Sequence, residues 1–321
     1  MAELTAPFPY FGSKRHAAGL IWQALGDVAS YCEPFAGSLA VLLRRPGGAG
    51  RIETVNDLSG HIANFWRSVK MHPEEVARHL DYPVIEQDLH ARHRWLLARH
   101  VDLVAGIDGD PDWCDPKAAG WWAWGASAWI GSGWCDQTKA QSKRLPSLSH
   151  AGTAVHSVGA AGRLNPWCID LANRLRHTRV CCGDWRRVVT HSAVCDTLVA
   201  GRVGIVYDPP YAHAVDDEGV AATRETALYG AEDSATVAAE CAEEARRQAV
   251  DHPRWRIVLC GYAGEHVMPG WREVAWSPNT GKFGSGGYGR KNGNSERERL
   301  WLSPACLPVN TEIGHQPALF T

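Results

Sequence analysis

No stretch of the 321-residue sequence approaches the ~18–20 consecutive apolar residues of a membrane span. The opening MAELTAPFPYFGSK has neither the basic start nor the apolar run of a secretory signal. Neither sign of charge is in excess: Lys and Arg number 33 against 35 Asp and Glu, a formal charge of −2. That excludes a histone-like or tail-driven binder of nucleic acid, while leaving room for a local basic face. Several catalytic signatures are missing as well. The G-x-G-x-x-G of nicotinamide enzymes is absent from the first strand-to-helix turn, and the G-x-S-x-G of serine hydrolases, the G-x-x-x-x-G-K phosphate loop, the H-E-x-x-H of zinc proteases and the deaminase Cys-x-x-Cys do not occur. Phe (6) and Tyr (8) are scarce beside 15 Trp, and no repeat recurs at a fixed period.

What is present is a large core-forming fraction. Hydrophobic residues make up 45%, which excludes wholesale disorder and suits one large domain or a catalytic domain carrying an insertion. The ten cysteines are scattered, the pattern of buried free thiols in a reducing cytosol, so a cytoplasmic location is expected. A zinc site drawn from Cys114, Cys135 and Cys168 with His150 or His156 follows no standard ligand spacing, and no metal is expected.

The first seventy residues alternate between helix and strand patterns. Helical periodicity over Lys14–Leu25 ends at Gly26, and Val28–Cys32 reads as a short strand. The turn Glu33-Pro-Phe-Ala-Gly37 follows, with Ser38 placed to cap a helix over Leu39–Arg45 that Pro46-Gly-Gly stops. Arg51–Val55 is a second strand, closed by Asn56-Asp57, and Ser59–Val69 a further helix. This order predicts an α/β fold with a doubly wound, mostly parallel sheet. Residues 71–180 differ in kind. Helices over Pro73–Leu80 and Val84–Val101, a Trp- and Gly-rich block and the loop-like SLSHAGTAVHSVGAAGR predict a mainly helical insertion with packing of its own. Sheet order resumes with a strand over Arg202–Tyr207 and a helix over Asp233–Val250. Strands over Arg256–Cys260, Arg272–Trp276 and Arg297–Leu302 follow. The expected division is a catalytic domain from 1–70 and 181–310, an insertion over 71–180 and a flexible tail over 311–321.

The strongest chemical signal is Asp208-Pro209-Pro210-Tyr211 at the end of an apolar strand. Two prolines fix φ and remove two donors, so the carbonyls point outward as acceptors of fixed direction. An Asp beside such a carbonyl can accept both hydrogens of an incoming –NH₂ group, and the Tyr offers a flat face to a base. Gripping both hydrogens aims the nitrogen lone pair at an electrophile, which is catalysis by orientation. The competing reading is a Pro-Pro turn with a capping Asp. At the first turn, Gly37 allows close backbone approach to a ligand. Asp57 closes the next strand roughly 20 residues on, where doubly wound folds hold ribose hydroxyls; it can equally cap the following helix.

Jointly these pieces resemble the DNA N6-adenine methyltransferases of the Dam-like (D12 class) family. The resemblance runs from Pro7-Phe-Pro-Tyr-Phe-Gly-Ser-Lys14, similar to that family's aromatic-x-Gly-x-Lys segment, through Glu33-Pro-Phe-Ala-Gly37 and Asn56-Asp57 to Asp208-Pro-Pro-Tyr211. The order also matches: cofactor segments first, a target-recognition insertion next, the catalytic tetrapeptide last. It implies a Rossmann-like methyltransferase fold and S-adenosylmethionine as methyl donor. Tyr10 and Lys14 would line the donor site, and the turn from Glu33 through Phe35 to Gly37 would lie under its methionine part. Asp57 would bind the ribose, and Asp184 of Gly183-Asp184-Trp185 would face the adenine. Asp208 and the Pro209 carbonyl would grip the target N6 amine, with Pro210 fixing the backbone and Tyr211 stacking on a base extruded from the duplex. One departure stands out: the family's second Gly of the turn is here Leu39, which predicts altered turn geometry rather than lost binding.

Lys139, Lys143, Arg144, Arg163, Arg174, Arg176, Arg179, Arg186 and Arg187 give the late insertion a basic bias suited to phosphates, or equally a solvated face. Trp113, Trp121, Trp122, Trp124, Trp129 and Trp134 read as the insertion's core rather than a stacking surface for bases. Loops 147–163 and 281–294 could order on DNA or serve as linkers. Near the C-terminus, Gln316, Leu319 and Phe320 of Gln-Pro-Ala-Leu-Phe resemble the peptide with which bacterial DNA enzymes dock on the sliding clamp. The expectation is a monomeric, membrane-free DNA adenine-N6 methyltransferase, solitary or within restriction-modification. Cytosine-N4 methylation is the near alternative, related Asn-Pro-Pro-Tyr enzymes methylate protein glutamine, and a non-catalytic binding protein is the reading from another class.

Overall fold

The computed structural model describes residues 4–9, 14–129, 134–135, 145–146, 155–160, 162–211, 231–276 and 297–310; at 157, 160 and 231–235 only the main chain is described. Its strands are β1 (Ser30–Glu33), β2 (Ile52–Asp57), β3 (Thr178–Cys182), β4 (Val203–Tyr207), β5 (Arg256–Tyr262), β6 (Arg272–Ala275) and β7 (Glu298–Leu302). They form one sheet in the order β3-β2-β1-β4-β5-β7-β6. Neighbours from β3 to β5 pair in parallel, and β7 runs antiparallel between β5 and β6. This is the doubly wound, mostly parallel, Rossmann-like sheet that the sequence predicts. The central strands β1 and β4 are buried at every residue, as strands covered on both faces must be.

The helices are α1 (Ala18–Leu25), α2 (Gly60–Met71), α3 (Pro73–Leu80), α4 (Glu86–Ala98), α5 (His100–Gly109), α6 (Pro116–Ala128), α7 (Val155–Ala160), α8 (Leu164–Leu175), the single turn α9 (Asp196–Val199) and α10 (Ala231–Asp251). Their ends follow local chemistry. Gly26 closes α1 at φ 56°, and its N–H reaches the Trp22 carbonyl. Ser59, not Asp57, caps α2 by accepting from the Ile62 N–H. Pro73 opens α3 with Glu74 and Glu75 in its first turn, and Asp115 caps α6 by accepting from the Ala118 N–H ahead of Pro116.

Four expectations need correction. The helix read over Leu39–Arg45 is only a 3₁₀ turn at Leu42–Arg44, because Leu39 has φ 57° and cannot sit within a right-handed helix. The pattern over Val84–Val101 is two helices, α4 and α5, broken at Arg99. A strand that sequence reading missed, β3, starts at Thr178 inside the segment 71–180 and pairs with β2 along its length. Finally, the mid-chain helices have no separate core. Phe8 lies 4.8 Å edge-on to Trp122 and 5.3 Å edge-on to Phe65, joining α2 to α6 in one cluster with Trp22, Trp66, Trp124, Trp129 and Trp134. As core residues the tryptophans are as expected, but they belong to the core that also covers one face of the sheet. The buried Arg92 guanidinium is stacked among Tyr82, Trp124 and Trp121 at 4.3, 4.1 and 5.0 Å, so these rings are engaged within the protein.

Candidate active site at the carboxyl ends of the central strands

Strand order reverses between β1 and β4, the place where open α/β sheets bind ligands beyond the carboxyl ends. β1 ends in Glu33 and β4 runs into Asp208, so both carboxylates emerge at this crevice. The antiparallel β7 contributes from its other end. Its first residue, Glu298, pairs with Tyr262 at the end of β5, which brings a strand's start to the same edge.

Lys14, just before α1, joins these groups. Its Nζ lies 2.8 Å from Asp208 Oδ1 and 3.6 Å from Glu298 Oε2, and its side chain is only 2% exposed. Burial alone works against the ammonium. The carboxylates of Asp208 and Glu298 outweigh it and raise the Lys14 pKa, so the side chain is a fixed cation. Tyr211 donates its hydroxyl to Asp208 Oδ1 at 3.1 Å, and the Lys14 ammonium sits over its ring at 4.8 Å. The ring is largely buried and meets Tyr262 edge-on at 4.6 Å. Pro209 and Pro210 are buried between Asp208 and Tyr211, which fixes the direction of the segment. Burial first, then Asp208, pushes the Cys260 thiol at this centre well above its ordinary pKa, so it stays protonated.

The second half of the crevice is organised by polar side chains that tie strand ends together. Asp57 accepts from the Gly37 N–H through Oδ2 and the Ser59 N–H through Oδ1, both at 2.9 Å. Burial raises its pKa to about 6 against these hydrogen bonds. Asn56 Nδ2 donates to the Pro34 and Gly183 carbonyls, joining the turns after β1 and β3. Its Oδ1 is buried and has no hydrogen-bond partner among the described residues. Glu33 accepts from the Tyr31 hydroxyl at 2.6 Å, and burial carries its pKa up to about 8, so it is mainly protonated at neutral pH. Gly37 adopts φ 46°, the left-handed turn that glycine favours. Leu39 adopts the same left-handed backbone, with its N–H bonded to the Ala36 carbonyl and its side chain fully buried. Leucine therefore occupies the conformation in which glycine is unstrained.

Asp57, Gly37 and the Glu33 turn thus gather at one crevice, and Lys14, Asp208 and Tyr211 at its other half. Phe35 packs against Trp185, 6.0 Å between rings, in the second core cluster. Asp184 is half exposed; it accepts from the Arg186 N–H at 2.8 Å and pairs with that guanidinium. Tyr10 lies outside the described residues. Sequence reasoning missed Cys260 and Tyr262, which β4–β5 pairing brings here, and Glu298, which β5–β7 pairing adds. A shallow cleft of about 320 Å³ opens beside β2 and β3, lined by residues such as Arg179, Cys181 and Arg187. None of the predicted catalytic or donor-binding residues lines it, whereas Arg179 and Arg187 belong to the basic set read as suited to phosphates.

The basic bias of the late insertion is partly internal. Arg174 pairs with Glu53 through two contacts of 2.6 and 3.0 Å, and Arg179 donates to Thr54 and to the Ala193 carbonyl. Arg186 also pairs with Glu240. Lys139, Lys143 and Arg144, most of both Gly-rich loops, and Gln316, Leu319 and Phe320 lie outside the described residues. Among the described residues no three His, Cys, Asp or Glu side chains come together as metal ligands, and no helix is long and apolar enough to cross a membrane.

Residues 10–101 match the model of the D12 class N6 adenine-specific DNA methyltransferase family. This is the family that the sequence resembles. The matched segment holds Lys14, the Glu33–Gly37 turn and Asp57, and it ends before Asp208. No curated protein matches the chain.

Proposed function

We propose that the chain is a site-specific DNA adenine-N6 methyltransferase, which uses S-adenosylmethionine to methylate an adenine flipped out of duplex DNA. The observation that carries this reading is the Asp208 carboxylate at the end of β4. It is directed by two buried prolines and held by Lys14 and Tyr211 beside a crevice with a second acidic corner at Asp57.

The acceptors in that corner fit a methyl donor that carries a ribose. Asp57 presents carboxylate oxygens at the end of β2, and the unpartnered Asn56 Oδ1 is a further buried acceptor beside it. Glu33, Phe35, Gly37 and Asp57 would hold the donor, with Asp184 at its adenine end. Bound there, S-adenosylmethionine supplies an electrophilic methyl group. The protein's own part is orientation. Asp208 and the Pro209 carbonyl accept the two N6 hydrogens and aim the lone pair, and the aromatic side chain of Tyr211 lies against the base. Lys14 holds Asp208 in place through their ion pair. The base has to leave the duplex, because a paired amine is out of reach.

The test is methyl transfer from labelled S-adenosylmethionine to mixed-sequence duplex DNA, comparing wild type with Asp208→Ala and digesting the DNA to nucleosides. Label in N6-methyldeoxyadenosine, reduced by about 10²- to 10³-fold in the variant, is the expected result. Label in N4-methylcytosine would keep the mechanism and change the target. Absence of label in every base, with the donor bound, would overturn the reading. Gln316, Leu319 and Phe320 are proposed to dock on the sliding clamp, which a pull-down after deletion of residues 316–321 tests directly.

A further inference from the structure

Glu298 stands at the same centre as Lys14 and Asp208, yet it neither grips the amine nor holds the fold together. Its Oε2 is shielded from solvent and has no hydrogen-bond partner among the described residues; the Lys14 ammonium at 3.6 Å is its ion pair. Burying a carboxylate on a single long ion pair is costly, and an uncharged amide of the same shape would be cheaper to bury. The fold therefore does not explain the charge.

The reaction does. With both carboxylates ionised, Lys14, Asp208 and Glu298 carry one net negative charge, because one ammonium faces two carboxylates. When an amine takes a methyl group from a sulfonium donor, its lone pair forms the N–C bond and the C–S electron pair leaves with sulfur. One N–H proton then departs to solvent. Positive charge moves toward the nitrogen that Asp208 holds. Without Glu298, the charge on Lys14 would cancel that of Asp208 and leave nothing to favour this movement.

Resting on the methyltransferase reading, we propose that Glu298 is a positioning residue for methyl transfer: it holds Lys14 against Asp208 and keeps the centre net negative toward the cationic donor and the charge arriving on the amine. Among the described residues the groups facing Glu298 are the ammonium of Lys14, the carboxylate of Asp208 and the thiol of Cys260, drawn from the segment before α1, the end of β4 and β5. Burial raises the Glu298 pKa, Lys14 opposes this and Asp208 adds to it. The net charge is accordingly lost on the acid side.

The test compares wild type with Glu298→Gln and Glu298→Asp, using full-length protein whose folding is checked by melting curves. Calorimetry gives the affinity for S-adenosylmethionine relative to uncharged S-adenosylhomocysteine, which differ by the methyl group and its positive charge. Glu298→Gln is expected to lower that ratio about tenfold and kcat on DNA about 10- to 100-fold, with KM for DNA within about threefold. Glu298→Asp, which keeps the charge, is expected to retain most of the ratio. An unchanged ratio in a folded Glu298→Gln protein overturns the proposal, as does an equal loss in both variants. If the Gln variant does not fold, the ratio measured between pH 8 and pH 5 for wild type and Glu298→Asp decides, since Glu33 and Asp57 titrate alike in both: a fall toward acid whose midpoint moves in Glu298→Asp supports the proposal, and identical profiles overturn it. If wild type transfers no methyl to DNA, the methyltransferase reading fails, and the binding ratio still judges Glu298 alone.

Discussion

Lys14 Nζ lies 2.8 Å from Asp208 Oδ1, joining the segment that leads into α1 to the end of the fourth strand. Lys14 is also the one cation shown between Asp208 and Glu298 among the described residues. Lys14→Met would leave two mostly buried carboxylates facing each other. We expect it to destabilise the fold by about 3–5 kcal/mol at neutral pH, the usual cost of breaking a buried pair. The sign with pH follows from the repulsion. Without the ammonium Glu298, which burial already raises, titrates still higher in the folded than in the unfolded chain, so the folded form binds more protons and regains stability as pH falls. Urea unfolding of both proteins at pH 5 and pH 8 checks this; a loss that is the same at both would contradict it.

Glu33 gives a second pH signature. Its folded pKa is about 8 against an ordinary value of 4.5, because the side chain is buried. Between those values the folded chain keeps a proton that the unfolded chain releases. Its contribution is fully present below pH 4.5 and is lost as pH rises through 8. Glu33→Gln mimics the protonated form and retains an acceptor for the Tyr31 hydroxyl. It should flatten the decline in stability between pH 5 and 8, measured as the denaturation midpoint, relative to wild type.

Leu39 provides a test of backbone strain. A left-handed backbone costs a side chain with a Cβ roughly 1–2 kcal/mol, which glycine avoids. Both Leu39→Ala and Leu39→Gly lose a fully buried side chain, worth about 2–5 kcal/mol. Elsewhere in regular structure Gly is less stable than Ala by roughly 0.5–1 kcal/mol. Here the order is expected to invert, with the Gly variant about 1 kcal/mol more stable than the Ala variant in parallel urea titrations. Ala above Gly would show that the turn relaxes without strain.

Much of the sheet half was legible because its signals are local. Pro209 and Pro210 fix the backbone wherever they occur, Gly26 stops a helix by its own φ, and fully apolar runs such as Val203–Tyr207 have the composition of buried parallel strands. Leu39 misled the helix reading, since a leucine in a helix-like pattern gives no hint of φ 57°. β3 was missed because Thr178–Cys182 is short and only partly buried at the sheet edge, so it carries no apolar run. Arg174 read as a phosphate contact or a solvated charge because a sequence cannot show that Glu53 of β2 meets the end of α8 to neutralise it.

By itself the sequence determined the fold class, the strand-end position of Asp208 and the acidic corner at Asp57, all of which follow from residues acting on their immediate neighbours. The tertiary structure alone decided the charge of the centre. Glu298 lies in a short strand that reads like any other partly polar one. It reaches Lys14 and Asp208 only because β7 runs antiparallel to β5, which turns the start of one strand toward the ends of the rest.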